Sequence, residues 1–148
     1  MAASSGDAVD DVPVKAVWAC LEADLKAVLV DVRTRPEWTF VGLPDLTGLG
    51  REPVLVEWQT FPDSRANAAF VEQLVARLDQ LGVDRDTELF FICRSGARSR
   101  LAAQAARQAG YQKCHNVAEG FEGPLDPDNR QRGRMGGWKA AGLPWSQS

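Results

Sequence analysis

A chain of 148 residues has the length of one domain and can bury a sizeable core. Apolar residues make up 45% and charged residues 25%, which is ordinary for a globular domain and excludes a largely disordered chain. The formal net charge of -3 provides no basic balance that would attract nucleic acid or an anionic membrane surface.

The chain begins with MAASSGDAVDDVP, which carries acidic residues and neither a basic nor a long apolar block. This stretch therefore does not resemble a signal peptide. No window reaches the roughly 18 consecutive apolar residues that a membrane helix needs. We expect residues 1–12 to be a disordered extension, residues 13–148 to form the domain, and the protein to be cytoplasmic.

Helical and strand patterns then alternate along the first half of the domain. PVKAVWACLEADLKA has apolar residues at helical spacing, and AVLVDVR is a short apolar run typical of a buried strand. Thr34 is positioned to cap a short helix through Trp38. PVLVEWQT predicts the next strand.

The second half continues the alternation. NAAFVEQLVARLDQLG predicts an amphipathic helix that ends at Gly82, and TELFFIC predicts a third buried strand. Ser99 is expected to cap a helix that runs to about Ala109, and QKCHNVA predicts a fourth strand.

This alternation predicts an α/β fold with a mostly parallel sheet of about five strands and helices on both faces. Functional sites in such folds lie at the carboxyl ends of the strands. Cys93 is predicted at such an end.

The number and spacing of the cysteines argue against two common roles of this residue. Cys20, Cys93 and Cys114 are an odd number without CxxC spacing, which argues against a disulfide framework and a zinc site. Cys20 and Cys114 are expected to pack in the core, while a resolving role for Cys114 stays open. His115 is the only histidine, so a Cys-His mechanism and a metal site are disfavoured, and we expect a structural or exposed residue.

The stretch CRSGARS, between a strand and a helix, has the composition of an anion cradle. A tight loop at a helix start turns successive main-chain N–H groups toward one point, and Gly96 allows such a curl. The helix amino end contributes partial positive charge, and Arg94 and Arg98 contribute full charges. Cys93 at the centre is therefore expected to be ionised and nucleophilic at neutral pH.

Two chemistries fit a cysteine in such a cradle, sulfur transfer and phosphoryl transfer. Four residues separate Cys93 from Arg98, whereas the phosphatases built on a related cradle have five. The narrower ring favours a sulfur atom carried on Cys93.

Three segments in order carry a family resemblance. They are CRSGAR (Cys93–Arg98), LVDVRTRPEW (Leu29–Trp38) and GGWKAAGLPW (Gly136–Trp145). Together they resemble the single-domain rhodaneses, a sulfurtransferase family, over most of the chain. The resemblance implies a rhodanese-like fold and no metal or organic cofactor.

The resemblance also assigns residues. It implies that Cys93 accepts a sulfane sulfur as a persulfide from an anionic, thiosulfate-like donor and passes it to a thiol, a protein thiol or cyanide. The substrate-binding residues it implies are Arg94, Ser95, Gly96, Ala97, Arg98 and Ser99. Asp31 and Arg33 are implied as supporting residues on the neighbouring strand, although a structural ion pair explains them equally well.

Two segments depart from the family pattern. FVGLPDLTG lacks the histidine of the Gly-His-Ile-Pro-Gly-Ala segment that many relatives have. FEGPLDPDNRQRGRM is interposed before the closing helix, and it is expected to project from the active-site edge. Its arginines, Arg130, Arg132 and Arg134, are then candidates to meet an acidic substrate or partner.

Two alternatives to sulfur transfer stay open. One is a cysteine-dependent phosphatase or arsenate reductase on the same scaffold. The other is a non-catalytic rhodanese module that only docks an anion or a partner.

Overall fold

The computed structural model of the protein describes residues 9–60 and 62–147. The helices are α1 (Val14–Ala23), α2 (Arg35–Phe40), α3 (Phe70–Gln80), α4 (Ala97–Gln108) and α5 (Gly137–Ala140). The strands are β1 (Asp10–Val12), β2 (Val28–Asp31), β3 (Leu43–Pro44), β4 (Val54–Leu55), β5 (Gln59–Thr60), β6 (Arg65–Ala66), β7 (Glu88–Ile92), β8 (Lys113–Val117) and β9 (Trp145–Ser146).

The central sheet has five strands in the order β1-β8-β7-β2-β4, and every neighbouring pair is parallel. Parallel neighbours require crossover connections, which the helices provide. Two short antiparallel pairs, β3 with β9 and β5 with β6, lie outside this sheet. The predicted α/β class with a mostly parallel sheet of about five strands is confirmed.

Helices cover both faces of the sheet. On one face α3 and α4 pack through Leu74 and Ala102 against Phe91, and on the other α1 packs through Leu21 against Phe90. Successive residues of a strand point to opposite faces, so adjacent phenylalanines serve different core layers. This two-sided burial explains why the strand is a continuous apolar run.

The amino-terminal boundary predicted from sequence is wrong for residues 10–12. Asp10–Val12 form an edge strand that pairs with β8, and Asp10 lies opposite His115. The Nδ1 atom of His115 is 2.6 Å from Oδ1 of Asp10. A strand of three residues is too short to show a period, which is why its acidic residues suggested an extension. Residues 1–8 lie outside the described residues.

Three local predictions also need correction. PVLVEWQT is not one strand, because Val54–Leu55 pair with β2 while Gln59–Thr60 pair with β6. Ser99 does not cap α4, which begins at Ala97 with Gly96 at the cap position. Cys20 is exposed rather than in the core, since it lies on the flank of α1.

None of the described helices is both long and apolar enough to cross a membrane.

Trp138 anchors the closing helix α5, and its removal should destabilise the fold. The side chain is fully buried, its ring meets Trp18 edge-on at 5.9 Å, and its Nε1–H donates to the carbonyl of Pro144 at 2.7 Å. We expect Trp138→Ala to lower the free energy of unfolding by about 3–5 kcal/mol, measured by urea denaturation. Leu25→Ala, at a side chain that is 77% exposed, is the control. Equal losses in the two variants would contradict this role.

Candidate active site

Cys93 lies directly after β7, at the carboxyl end of the central strands, and is buried. The segment after β8 fixes its backbone, because the N–H of Phe121 donates to the carbonyl of Cys93 at 2.8 Å. Gly120 precedes this contact with a φ of 65°, and a Cβ there would overlap the carbonyl of Cys93. Glycine therefore permits the close approach that holds the cysteine in place.

The backbone after Cys93 curls around the sulfur. Gly96 has a φ of 114°, in the left-handed region, and its N–H donates to Sγ of Cys93 at 3.1 Å. Helix α4 starts at the next residue, Ala97. The N–H groups of a first helical turn have no acceptor inside the helix, and the helix dipole adds positive charge there. The loop can therefore stabilise negative charge on the sulfur of Cys93.

Ser99 contacts the sulfur through its side chain. Its Oγ is 3.2 Å from Sγ of Cys93 and 2.5 Å from Oδ1 of Asn116. Asn116 is buried near the end of β8, and it donates from Nδ2 to Asp11 and to the carbonyl of Gly96. Sequence reasoning missed Asn116. A polar residue near the carboxyl end of a buried strand was the signal that could have identified it.

Arg98 is held by Glu37. Its Nη1 and Nη2 donate to the two carboxylate oxygens of Glu37 at 2.8 and 3.0 Å, and both side chains are about four-fifths buried. Thr34 adds donors from its N–H and its hydroxyl to Glu37 in a capping box at the start of α2. The guanidinium expected to attract a donor is thus largely neutralised within the protein.

The protonation of this pair follows from its contacts. Burial disfavours the charged carboxylate, but hydrogen bonds and charge from Arg98, with the bonds from Thr34, outweigh it and lower the pKa of Glu37 to about 2. Burial likewise works against the charged form of Arg98, yet Glu37 raises the pKa of its guanidinium. Both groups are charged at neutral pH.

Arg94 differs from Arg98 because it is exposed. Its carbonyl accepts hydrogen bonds from the N–H groups of Glu122 and Gly123 at 2.9 and 3.2 Å. These two residues begin the interposed loop, so the loop leaves the fold beside the cysteine loop. These contacts agree with the predicted position of the interposed loop at the active-site edge.

Two of the three loop arginines are engaged within the loop. Arg132 donates to the carbonyl of Gly123 at 2.8 Å, and Arg134 donates to Gln131 at 3.0 Å. Arg130 is exposed. A contact of these residues with an acidic substrate or partner stays a prediction.

Asp31 and Arg33 form a fully buried ion pair. Nε and Nη2 of Arg33 donate to the Asp31 carboxylate, and Nη2 also donates to the carbonyl of Gly42 at 2.8 Å. The Phe121 ring covers the guanidinium, 4.2 Å from its carbon. The pair therefore joins the end of β2 to the segment that fixes Cys93, which is a structural arrangement. Its importance to catalysis stays a prediction.

The remaining candidates lie apart from this chemistry. Cys114 is buried as predicted, and burial raises the pKa of its thiol to about 12, which argues against a resolving role. His115 lies between the carboxylates of Asp10 and Glu88. Within residues 9–60 and 62–147 there is no cluster of three or more metal-ligating side chains.

A large cleft of about 780 Å³ lies at the opposite end of the sheet. Ala27 and Val28, at the amino end of β2, and Thr87, before β7, help to line it. Cys93 lies at the carboxyl end, so the largest volume of this cleft and the reactive sulfur are at opposite ends of the sheet. The reactive sulfur and its donors identify the candidate site better than cleft volume does.

The family model described as the STR4 middle domain matches residues 10–148. The chain belongs to this rhodanese-like family. RC0915 of Rickettsia conorii, an uncharacterized protein, is 37% identical over 119 residues, which are 80% of this chain and 82% of that protein. Rhodanese-like domain-containing protein 4, chloroplastic, of Arabidopsis thaliana is 24% identical over 88% of this chain, and the match spans 24% of its own length.

Solved structures show the same rhodanese fold. Rv0390 of M. tuberculosis is 45% identical, with a TM-score of 0.85 over 95% of this chain and 98% of that one. The polysulfide-sulfur transferase homodimer of Wolinella succinogenes is 19% identical, with a TM-score of 0.59 over 98% of this chain and 82% of that one. Proteins that share the fold therefore include a sulfurtransferase.

Removing the Glu37 carboxylate should make stability independent of its titration. The native pKa of Glu37 is about 2, below the ordinary 4.5, so the pair stabilises the fold above pH 4.5 and this contribution is lost as the pH falls toward 2. We expect Glu37→Gln to lower the free energy of unfolding at pH 7 by about 2 kcal/mol, allowing for solvent screening. Urea unfolding at neutral and at acidic pH measures both effects.

The free energy of unfolding measured at acidic pH is the control. The variant and the wild type should converge in stability as the pH approaches 2. A difference that stays constant over the whole range would contradict the ionic origin of the effect.

Proposed function

We propose that this rhodanese domain is a sulfurtransferase in which Cys93 carries sulfane sulfur from an anionic, thiosulfate-like donor to a thiol or cyanide acceptor. The supporting observation is the environment of Sγ, which lies 3.1 Å from the N–H of Gly96 and 3.2 Å from the hydroxyl of Ser99. Hydrogen bonds to a charged form stabilise it, so the N–H of Gly96 favours a thiolate and an anionic persulfide, and the Ser99 hydroxyl adds to this when its proton turns toward the sulfur. The cytoplasm is the proposed location.

The reaction proceeds in two displacements. The Cys93 thiolate attacks the outer sulfur of thiosulfate, a new S–S bond forms, and sulfite leaves with the electron pair of the bond that breaks. An acceptor thiolate or cyanide then attacks the outer sulfur of the persulfide. The S–S bond to Cys93 breaks, and the thiolate is restored. Neither step requires a metal or an organic cofactor.

The loop residues then have separate roles. The main-chain N–H groups from Arg94 to Ser99, Ser95 and Ala97 included, spread the negative charge of the persulfide over several donors. The exposed guanidinium of Arg94 attracts the anionic donor. Arg98 serves differently, because its pairing with Glu37 anchors the loop to α2.

The same pairing disfavours phosphoryl transfer. Two of the five N–H donors of Arg98 are given to Glu37, and the carboxylate beside the guanidinium repels a doubly charged phosphate. The short spacing between Cys93 and Arg98 supports the same choice. Turnover of an aryl phosphate faster than sulfur transfer would favour the phosphatase or arsenate reductase alternative.

Cys93→Ser should abolish sulfur transfer, because a hydroxyl cannot form the persulfide. The measurements are thiosulfate-dependent thiocyanate formation and intact mass after thiosulfate treatment, in which the wild type gains the mass of one sulfur. Cys20→Ser and Cys114→Ser are matched controls and should retain both signals. Transfer by the Cys93 variant would contradict the proposal, and a wild type that gains no mass would favour a non-catalytic module.

Arg94→Ala should weaken donor binding more than chemistry. Loss of an exposed positive charge beside the site should raise KM for thiosulfate about three- to ten-fold at low salt and leave kcat within about two-fold. Arg130→Ala removes one exposed charge from the interposed loop and is the matched control. An equal rise of KM in both variants would contradict a specific role of Arg94 in attracting the donor.

A further inference from the structure

A hydrogen-bond chain links the reactive sulfur to the edge strand of the sheet. Sγ of Cys93 contacts the hydroxyl of Ser99, the hydroxyl contacts Oδ1 of Asn116, and Nδ2 of Asn116 donates to Asp11 in β1 at 2.9 Å. Asp11 also forms an ion pair with Arg100 in α4. Apart from Asp11 and Arg100 at its outer end, the chain is buried: Ser99 has no exposed surface and Asn116 is 3% exposed.

The orientation of the Asn116 amide is determined by its partners. Its two N–H donors go to Asp11 at 2.9 Å and to the carbonyl of Gly96 at 3.1 Å, both of which are acceptors only. The amide oxygen must therefore face Ser99, at 2.5 Å from Oγ. An amide oxygen can accept a proton from the hydroxyl but cannot donate one.

The Ser99 hydroxyl has one proton and more than one acceptor. It can donate to Oδ1 of Asn116 at 2.5 Å, to Sγ of Cys93 at 3.2 Å or to the carbonyl of Gly96 at 3.4 Å, but to only one of them at a time, and the amide oxygen is the nearest. While the proton is on the side of Asn116, the hydroxyl presents lone pairs to the sulfur and suits a neutral thiol. A thiolate gains a second hydrogen bond when the proton turns toward the sulfur, and the amide oxygen then loses its partner.

We propose that Asn116 is a positioning residue that restrains Cys93 by competing with its sulfur for the single proton of Ser99. This inference rests on the proposed function, because it assigns a role toward the nucleophile of that reaction. Removing the Asn116 oxygen frees the hydroxyl to donate to the thiolate. Asn116 thereby reduces the reactivity of free Cys93, while its bond to Gly96 helps to hold the loop that stabilises the charge.

The test is a double-variant cycle on Cys93 reactivity without any sulfur donor. In a Cys20→Ser background, the rate of Cys93 alkylation by iodoacetamide at pH 7 is measured for the parent, Asn116→Ala, Ser99→Ala and the double variant. The ultraviolet absorbance of the thiolate, with Cys93→Ser as the blank, is a second readout. We expect Asn116→Ala to alkylate roughly five-fold faster, because a bond to a charged acceptor is stronger than one to a neutral acceptor.

The same substitution should change the rate by less than about two-fold when Ser99 is already alanine. Any effect that Asn116 exerts through Gly96 is present in both backgrounds and cancels in the cycle. A rate for Asn116→Ala that is unchanged or lower than the parent overturns the inference. An equal gain in the Ser99→Ala background also overturns it.

One further variant keeps the test decisive. Asn116→Val, whose branched side chain suits a strand, replaces Asn116→Ala if circular dichroism shows that the alanine variant is unfolded. Alkylation needs no sulfur donor. If the alkylation rates follow the expected cycle but the protein transfers no sulfur, the proposed function is refuted and the role of Asn116 is not.

Discussion

The hydrogen bond from the N–H of Gly96 to Sγ of Cys93 requires a left-handed backbone at Gly96, and the site depends on this bond. The bond forms only because the loop curls around the sulfur, and two neighbouring segments hold the loop in that conformation. One is the amino end of α4, which starts at the next residue. The other is the segment after β8, where Phe121 holds the carbonyl of Cys93. The sulfur thereby has a main-chain donor in place before any substrate arrives, which is the preorganisation that charge stabilisation requires.

The two arginines of the loop serve different purposes although the sequence gives them the same appearance. Arg98 is paired with Glu37 across two elements, and its charge stabilises the fold more than it attracts ligands. Arg94 stays exposed at the rim. The positive potential of the site therefore comes mainly from main-chain dipoles, with one exposed guanidinium at the rim. Such a cradle suits sulfur carried on Cys93 and leaves little free charge for a bound phosphate.

The edge strand β1 belongs to the site as well as to the sheet. Asp11 holds Asn116, which in turn holds the hydroxyl beside the sulfur. Buried polar groups in such chains depend on one another, since each loses a partner when its neighbour changes. A short acidic segment at the start of the domain is therefore connected to the cysteine through two intermediate side chains.

The sequence alone determined the α/β class, the parallel sheet, the position of Cys93 at a strand end and the family, because period, turn residues and short motifs are local properties of the chain. It did not determine the partners of Arg98 and Ser99, or the membership of Asp10–Val12 in the sheet. Glu37 is 61 residues from Arg98, and Asp11 is 105 residues from Asn116. Only the tertiary structure brings such residues together, because packing of the sheet and its helices decides which buried polar groups meet.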